Sequence, residues 1–203
     1  MHALPYWRLS GYYFFYFAFI GAFSPYFGLY LKSLEFSAWD IGLLMSQMQL
    51  MRLFGPNLWG WLVDRFGHRV AIIRLAGAIG LAGFLAFFWL NQLPGMLLAM
   101  AVLAFFWSAA LPLVEMLTFD HLREERGRYG RIRLWGSVGF IVAVMATGAI
   151  LDLTPPVGLL WVCSAILAGI LGYALFLPEA PPRIHPVDGV SIGKILCQPP
   201  VLA

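Results

Sequence analysis

Three ionisable side chains interrupt long apolar stretches of this sequence. Arg52, Glu115 and Arg133 each stand close to runs of hydrophobic residues. If such runs cross a bilayer, an arginine at mid-depth costs roughly 2.5–3.5 kcal/mol on insertion scales, so it must face a polar interior. A guanidinium binds a carboxylate through two parallel hydrogen bonds, which makes Arg52 a candidate anchor for an anionic or strongly polar ligand. The alternative is a structural arginine that snorkels or ties helices together through backbone carbonyls.

Glu115 and Arg133 are spaced so that they can form a pair. Their positions lie symmetrically about residue 124, in the middle of a charged connection, so an antiparallel hairpin of two helices brings them to equal depth. Pairing with Arg133 would keep Glu115 ionised, whereas loss of that partner would favour its protonation. A ligand that competes for Arg133 would thereby couple its own binding to proton uptake. A static ion pair at the membrane edge is the alternative.

The composition predicts the elements that carry these residues. The chain of 203 residues is 61% hydrophobic and only 11% charged, which leaves too little polar surface for a soluble protein. A spanning helix needs roughly 20 apolar residues, so the sequence has room for about six spans. The first apolar run is too long for the core of a signal peptide, so no cleavable signal peptide is expected. We place the spans at about Leu9–Leu31, Ile41–Leu62, Val70–Leu90, Gly95–Phe119, Ile132–Leu151 and Val157–Leu177. The expected fold is an all-α polytopic membrane protein with six transmembrane helices.

The basic residues predict the orientation of these spans. Nearly all arginines fall in one set of connections, whereas the opposite set contains only Lys32. Both termini are then expected on the cytoplasmic side, in a bacterial inner membrane. Three spans followed by three of opposite topology predict 3+3 inverted repeats, with a ligand site near the midplane between repeats. Residues 1–177 are assigned to the bundle, and residues 178–203 to a cytoplasmic linker that leads into a further apolar stretch.

A basic stretch bracketed by glycines, GWLVDRFGHR at residues 60–69, lies between the second and third spans. Gly60 is expected to allow close approach of a neighbouring helix, and Gly67 to allow a turn with φ > 0. The stretch resembles the signature loop of the major facilitator superfamily, G-x-x-x-D-[R/K]-x-G-[R/K]-[R/K], from which only His68 departs. This resemblance implies that a conformational gating loop is formed by Gly60, Asp64, Arg65, Gly67 and Arg69.

A second stretch, RYGRIRLWGSVG at residues 128–139, resembles the opening of the fifth helix in two groups of that superfamily. These are the oligosaccharide:proton symporters of the lactose permease type and the phenylpropionate permease-like group. The stretches FSPYF at residues 23–27 and IGLL at residues 41–44 also fit the latter group. The resemblance implies the N-terminal half of a twelve-helix fold, substrate contacts for Glu115 and Arg133, and an arginine at the Arg52 position.

The expected function is secondary active transport of a small organic solute by alternating access, with proton symport implied by the resemblance. Arg52 and the aromatic residues of the first span favour an aromatic carboxylate. The alternatives are a nucleoside or sugar symporter, an efflux transporter, and a transport-dead scaffold or sensor of transporter ancestry. The expected partners are the substrate, a proton, the lipid bilayer and a C-terminal six-helix half absent from this sequence. Neither a cofactor nor nucleic acid is expected.

A membrane enzyme is the competing class. With Glu115 as general acid or base, it would also need a nucleophile, a metal cluster or a phosphate-binding loop. The 4 histidines are scattered over separate connections, and no His-x-x-x-His or Cys-x-x-Cys spacing occurs. Cys163 and Cys197 form no motif and are expected to be free thiols. The sequence therefore predicts no enzymatic activity and no metal site.

Overall fold

The computed structural model describes residues 4–122 and 125–180, and every regular element within these ranges is helical. The α-helices are α1 (Tyr6–Ser33), α2 (Ala38–Phe66), α3 (Arg69–Leu85), α4 (Leu93–Leu122), α5 (Tyr129–Leu153) and α6 (Gly158–Phe176). Short 3-10 turns follow α3 at Ala86–Phe88 and precede α5 at Arg126–Arg128. The all-helical prediction is confirmed, and the helices fall where the apolar runs predict them, with ends that differ by a few residues.

Five of the described helices are long and apolar enough to cross a membrane: α1, α3 with the turn that follows it, α4, α5 and α6. The remaining helix, α2, falls outside this set because its middle carries several polar side chains, namely Ser46, Gln47, Gln49, Arg52 and Asn57. With 29 residues it is about 44 Å long, which exceeds the bilayer core. If α2 spans the membrane, protein or water must therefore shield its polar middle from lipid.

The turn between α2 and α3 is shorter than the sequence predicts. Helix α2 continues to Phe66, because residues 61–66 include no proline or glycine, so the first part of the predicted loop is helical. Gly67 ends the helix with a φ of 70°, as expected, and its N–H donates to the carbonyl of Val63 at 2.7 Å. A Cβ atom at Gly60 would meet no described atom within 4 Å, so the close approach predicted there does not involve the described residues.

Helices α1 and α4 form the centre of the bundle. Helix α1 packs along α5 and α6, helix α4 packs along α2 and α3, and α3 packs against α6. This set of pairs is unchanged when α1 is exchanged with α4, α2 with α5, and α3 with α6. Within the described residues, α2 and α5 make no extensive contact with each other, which leaves a cleft between them with α1 and α4 as its floor.

Glycines allow the long helix pairs to approach closely. At Gly139 of α5, a Cβ atom would overlap the backbone oxygen of Phe14 in α1. At Gly55 of α2, a Cβ atom would overlap the side-chain oxygen of Ser108 in α4. Small residues at such crossings let helix backbones pack together in membranes. The α1–α5 crossing is the stricter of the two, because backbone atoms cannot rotate away as a serine side chain can.

Arginine side chains join helices at one end of the bundle, where α1, α3 and α5 begin and α2, α4 and α6 end; we call it the basic end. Arg74 of α3 donates to three backbone carbonyls between residues 174 and 177 at 3.0–3.1 Å. Arg8 of α1 donates to the carbonyl of Phe176 at 3.2 Å. These bonds satisfy carbonyls that the C-terminus of α6 would otherwise leave without a partner.

Candidate functional site

Glu115 of α4 and Arg133 of α5 face each other across the junction of their helices. Arg133 Nε lies 4.0 Å from Glu115 Oε1. Tyr129, one helical turn earlier on α5, donates a hydrogen bond to the same carboxylate oxygen at 3.1 Å. About a third of each charged side chain is exposed, 32% for Arg133 and 34% for Glu115. The structure thus brings the two residues together while leaving both accessible to a ligand.

Arg133 also lies against aromatic rings of α1. Its guanidinium carbon is 3.8 Å from the ring centroid of Phe17 and 5.7 Å from that of Tyr13. Contacts of this kind attract a cation to the negative face of the ring. Because the ring holds the guanidinium in place and the carboxylate is at the outer limit of an ion pair, N–H donors of Arg133 are available to an anion.

Tyr16 of α1 connects this pair with Arg52. Its side chain is buried, and it interacts electrostatically with Arg52 and also with Glu115 and Arg133. Its ring stacks on Trp107 of α4, with the ring centroids 4.3 Å apart and the planes at 7°. Tyr16 therefore lies between the arginine of α2 and the charged pair of α4 and α5.

Arg52 lies midway along α2, on the wall of the cleft opposite α5. With residues of α1 and α4 it lines a small cavity of about 60 Å³, whose walls include Phe19, Ser24 and Trp107. Its Nη1 donates a hydrogen bond to Gln49 on the same helix at 3.4 Å. No carboxylate within residues 4–122 and 125–180 pairs with it, so its charge is uncompensated in this part of the chain.

We call the set of Arg52, Glu115, Arg133, Tyr16 and Trp107 the charged cleft. Two guanidinium groups against one carboxylate leave an excess of positive charge, which favours an anionic ligand. Sequence reasoning did not single out Tyr16 or Trp107, since it considered the aromatic residues of the first span only as a group. The available signal was the helical spacing of residues 13, 16 and 17, which places three rings on one face of α1.

The predicted gating residues lie apart from the charged cleft, at the basic end. Arg69 forms an ion pair with Asp120 of α4. Asp64 and Arg65 are exposed near the end of α2, and Arg65 lies over the ring of Trp61, 5.7 Å from its centroid. The carboxylate of Asp64 makes no hydrogen bond or ion pair with any other residue that the structure describes. The stretch therefore combines one ion pair to α4, made by Arg69, with an unpaired carboxylate, that of Asp64.

Two further predictions lie partly outside the described residues. The linker assigned to residues 178–203 is described only as far as residue 180, where the chain is no longer helical. Cys163 is a buried free thiol in α6, and Cys197 lies outside the described residues.

The family of the chain follows from sequence comparison. A model of the MFS_1 like family matches residues 6–191. The chain belongs to this family. Its members are transporters of the major facilitator superfamily and not enzymes, so the predicted superfamily and the predicted lack of enzymatic activity are both confirmed.

Curated members related to the chain are longer than it is. YwbF of Bacillus subtilis (strain 168), named as an uncharacterized transporter, is 32% identical over 191 residues, which are 93% of this chain and 47% of that protein. The maltose permease of Geobacillus stearothermophilus is 34% identical over 84% of this chain and 43% of its own length. The probable 3-phenylpropionic acid transporter of Escherichia coli (strain K12) is 26% identical over 72% of this chain and 38% of its own. The chain thus spans about half the length of these relatives or less.

A solved structure shows the same fold. The crystal structure of a mutant of the nucleoside transporter NupG superposes with a TM-score of 0.81 at 21% identity, over 94% of this chain and 48% of that chain. At this identity the likeness concerns the fold alone. The helical bundle described above is therefore the N-terminal half of a major facilitator fold, as the signature stretch predicts.

Proposed function

We propose that the complete protein is a secondary active transporter that moves a small organic anion across the membrane by alternating access. Family membership supports transport. The uncompensated Arg52, facing the same cleft as Arg133 and Glu115, is the observation that supports an anion. In this proposal a C-terminal half of six helices closes the open side of the charged cleft, and Asp64 engages a helix of that half.

The substrate that best suits the charged cleft is an aromatic carboxylate. A guanidinium group binds a carboxylate through two parallel hydrogen bonds, and the rings of Phe19 and Trp107 line the small cavity beside Arg52, where the remainder of an aromatic molecule would lie. A relative named for 3-phenylpropionic acid agrees with this choice. A sugar or nucleoside is the second candidate, because Glu115 can accept hydrogen bonds from hydroxyl groups and other relatives are named for maltose and nucleosides.

Transport is proposed to be coupled to protons through Glu115. In the absence of substrate, Arg133 and the Tyr129 hydroxyl stabilise the carboxylate of Glu115. A substrate carboxylate that engages Arg133 removes that counter-charge, and proton binding then neutralises Glu115. Each substrate anion would enter with a proton on this scheme.

All six helices are proposed to span a bacterial inner membrane, with the basic end in the cytoplasm. The arginines at this end support the orientation through the positive-inside rule. The packing pairs support an arrangement of inverted 3+3 repeats, since exchanging the first three helices with the last three preserves them. The polar middle of α2 then faces the charged cleft and not the lipid.

Uptake by the complete protein in proteoliposomes tests the proposal. We would measure accumulation of radiolabelled 3-phenylpropionate, maltose and uridine with and without an inward proton gradient. The expected result is saturable accumulation of the aromatic acid that the gradient stimulates and that Arg52→Ala and Arg133→Ala reduce at least tenfold. The matched control is Arg128→Ala, since Arg128 is exposed and its ion pair within the described residues is with Glu125, just before the start of α5.

The possible outcomes separate the alternatives. Accumulation of maltose or uridine instead would replace the proposed substrate class. Uptake unchanged in both cleft variants would refute the assignment of the charged cleft. Folded protein that accumulates none of the three, including when reconstituted in the opposite orientation, would favour the scaffold or sensor reading over transport of these classes.

A further inference from the structure

A second and larger cavity lies outside the charged cleft, where α5 and α6 diverge over α1. Its volume of about 670 Å³ is within the roughly 300–1,000 Å³ range typical of ligand pockets. Aromatic rings form most of its wall, namely Trp7, Phe14, Phe15, Trp135, Tyr173 and Phe176. We call this cavity the α5–α6 groove. Neither the proposed transport cycle nor the gating stretch uses it.

The groove opens toward the region that lipid would occupy. Helices α5 and α6 make few contacts with each other, so α1 forms the floor between them. Trp7 and Phe176 at its mouth are exposed by 69% and 66%. Along α1 it extends from Trp7 to Phe15, about 12 Å at the rise of an α-helix, so it begins at the basic end and runs into the apolar layer. Amphipathic tryptophans are enriched at this depth in membrane proteins.

Positive charge is concentrated at the mouth of the groove. Arg8 lines it and donates one N–H group to the carbonyl of Phe176, and no described residue accepts a hydrogen bond from its other donors. Arg131 is exposed one helical turn before Trp135, on the same face of α5. No acidic side chain is among the residues that line the groove. Basic pockets of this kind between transmembrane helices bind anionic lipid headgroups.

One residue in the wall of the groove carries an unpaired polar atom. Ser10 lines it and is only 2% exposed. Its Oγ has no hydrogen-bond partner in the described structure. A buried hydroxyl without a partner is costly, and a lipid ester carbonyl or phosphate oxygen entering the groove would accept its hydrogen bond.

We propose that the α5–α6 groove binds an anionic phospholipid, with the phosphate of its headgroup between Arg8 and Arg131 and an acyl chain along the aromatic wall. The charge of the mouth, the apolar length of the groove and the unpaired Ser10 hydroxyl each match one part of such a molecule. This site is independent of the proposed substrate and requires only that the bundle lies in a membrane.

Native mass spectrometry of the complete protein tests the proposal, with dioleoylphosphatidylglycerol as the probe and dioleoylphosphatidylcholine as the comparison. We expect preferential binding of the anionic lipid. Arg8→Gln and Arg131→Gln should each weaken it about fivefold, as expected for one basic group near a headgroup. Gly172→Leu should block the groove, because a Cβ atom at Gly172 meets no neighbour and the side chain can extend into it.

Matched controls keep the result decisive. Gly42→Leu places the same side chain at an open position on α2, and Arg65→Gln removes an exposed arginine at the same end but away from the groove; neither should alter binding. Equal binding of the two lipids, or unaltered binding in Gly172→Leu, would overturn the proposal. If Gly172→Leu does not purify as a folded protein, the two exposed arginine variants decide, and unchanged affinity in both would refute it.

Discussion

Arg133 has neighbours of two kinds that compete for its charge, the carboxylate of Glu115 and the rings of Phe17 and Tyr13. The guanidinium carbon lies 3.8 Å from the centroid of the Phe17 ring, which is a close contact. The ion pair joins Nε to Glu115 Oε1 at 4.0 Å, and about a third of each of its two side chains is exposed. An exposed ion pair contributes little, typically no more than about 1 kcal/mol. The guanidinium is therefore positioned chiefly by packing, and it can exchange Glu115 for an anionic ligand at small cost in free energy.

Replacement of Arg133 by lysine separates charge from geometry. Lysine keeps the positive charge but loses the planar fork and stacks less well on Phe17. We expect Arg133→Lys to raise the KM for an anionic substrate about tenfold, since charged hydrogen bonds contribute roughly 1.5–3 kcal/mol. Initial rates of uptake over a range of substrate concentrations measure the effect. Arg128→Lys is the control, and an unchanged KM for Arg133→Lys would show that the fork does not bind substrate.

The sequence could predict the pair at Glu115 and Arg133 because a helical hairpin fixes relative depth from position alone. It could not predict the rings around them. Tyr16 and Phe17 belong to a helix that is aromatic on every side, so residue type does not tell which ring faces the cleft. Only the packing of α1 between α4, α5 and α6 decides that.

At the scale of helices, hydropathy predicted positions but not partners. Runs of about twenty apolar residues marked the helices well, while helix ends depended on local capping, as at Gly67. The hairpin neighbours α1 and α2 touch little, and α1 instead packs along α5, far away in sequence. Helices that are apolar all round contain no amphipathic stripe from which such a partner could be deduced.

The crossing of α1 and α5 yields a stability prediction. Gly139→Ala would place a Cβ atom against the backbone oxygen of Phe14 and force the helices apart. We expect it to destabilise the protein by about 1–3 kcal/mol, as for other overpacked sites. Gly130→Ala is the control in the same helix, because a Cβ atom there meets no neighbour and alanine favours the helix. Thermal unfolding in detergent measures both, and equal melting temperatures would contradict the close crossing.

At the scale of the whole molecule, one side of the bundle has no partner of its own. Large apolar side chains of α2 and α5 are exposed beside the charged cleft, among them Leu53, Phe54, Leu134 and Ile141. The relatives are about twice as long, which accords with a second half against this side. We infer that transport requires both halves, because the charged cleft is open where the second half would lie.

Expression of these 203 residues alone tests this inference. We predict that the protein dimerises or aggregates in detergent and does not transport, because its exposed apolar side must find another partner. Light scattering coupled to size exclusion measures the mass, and proteoliposome uptake measures the flux. The complete protein serves as the positive control. A monodisperse monomer with measurable uptake would contradict the prediction.

The order in which helices pack differs from the order in which a ribosome makes them. Helix α2 finds its main partner in α4, and α1 finds its main partners in α5 and α6. At about 5–20 residues per second, roughly 3 to 11 s pass between completion of α2 at Phe66 and of α4 at Leu122. During that interval the unshielded arginine and glutamines of a nascent α2 have no helix to cover them. We therefore expect stable insertion of α2 into the membrane to wait until α4 emerges.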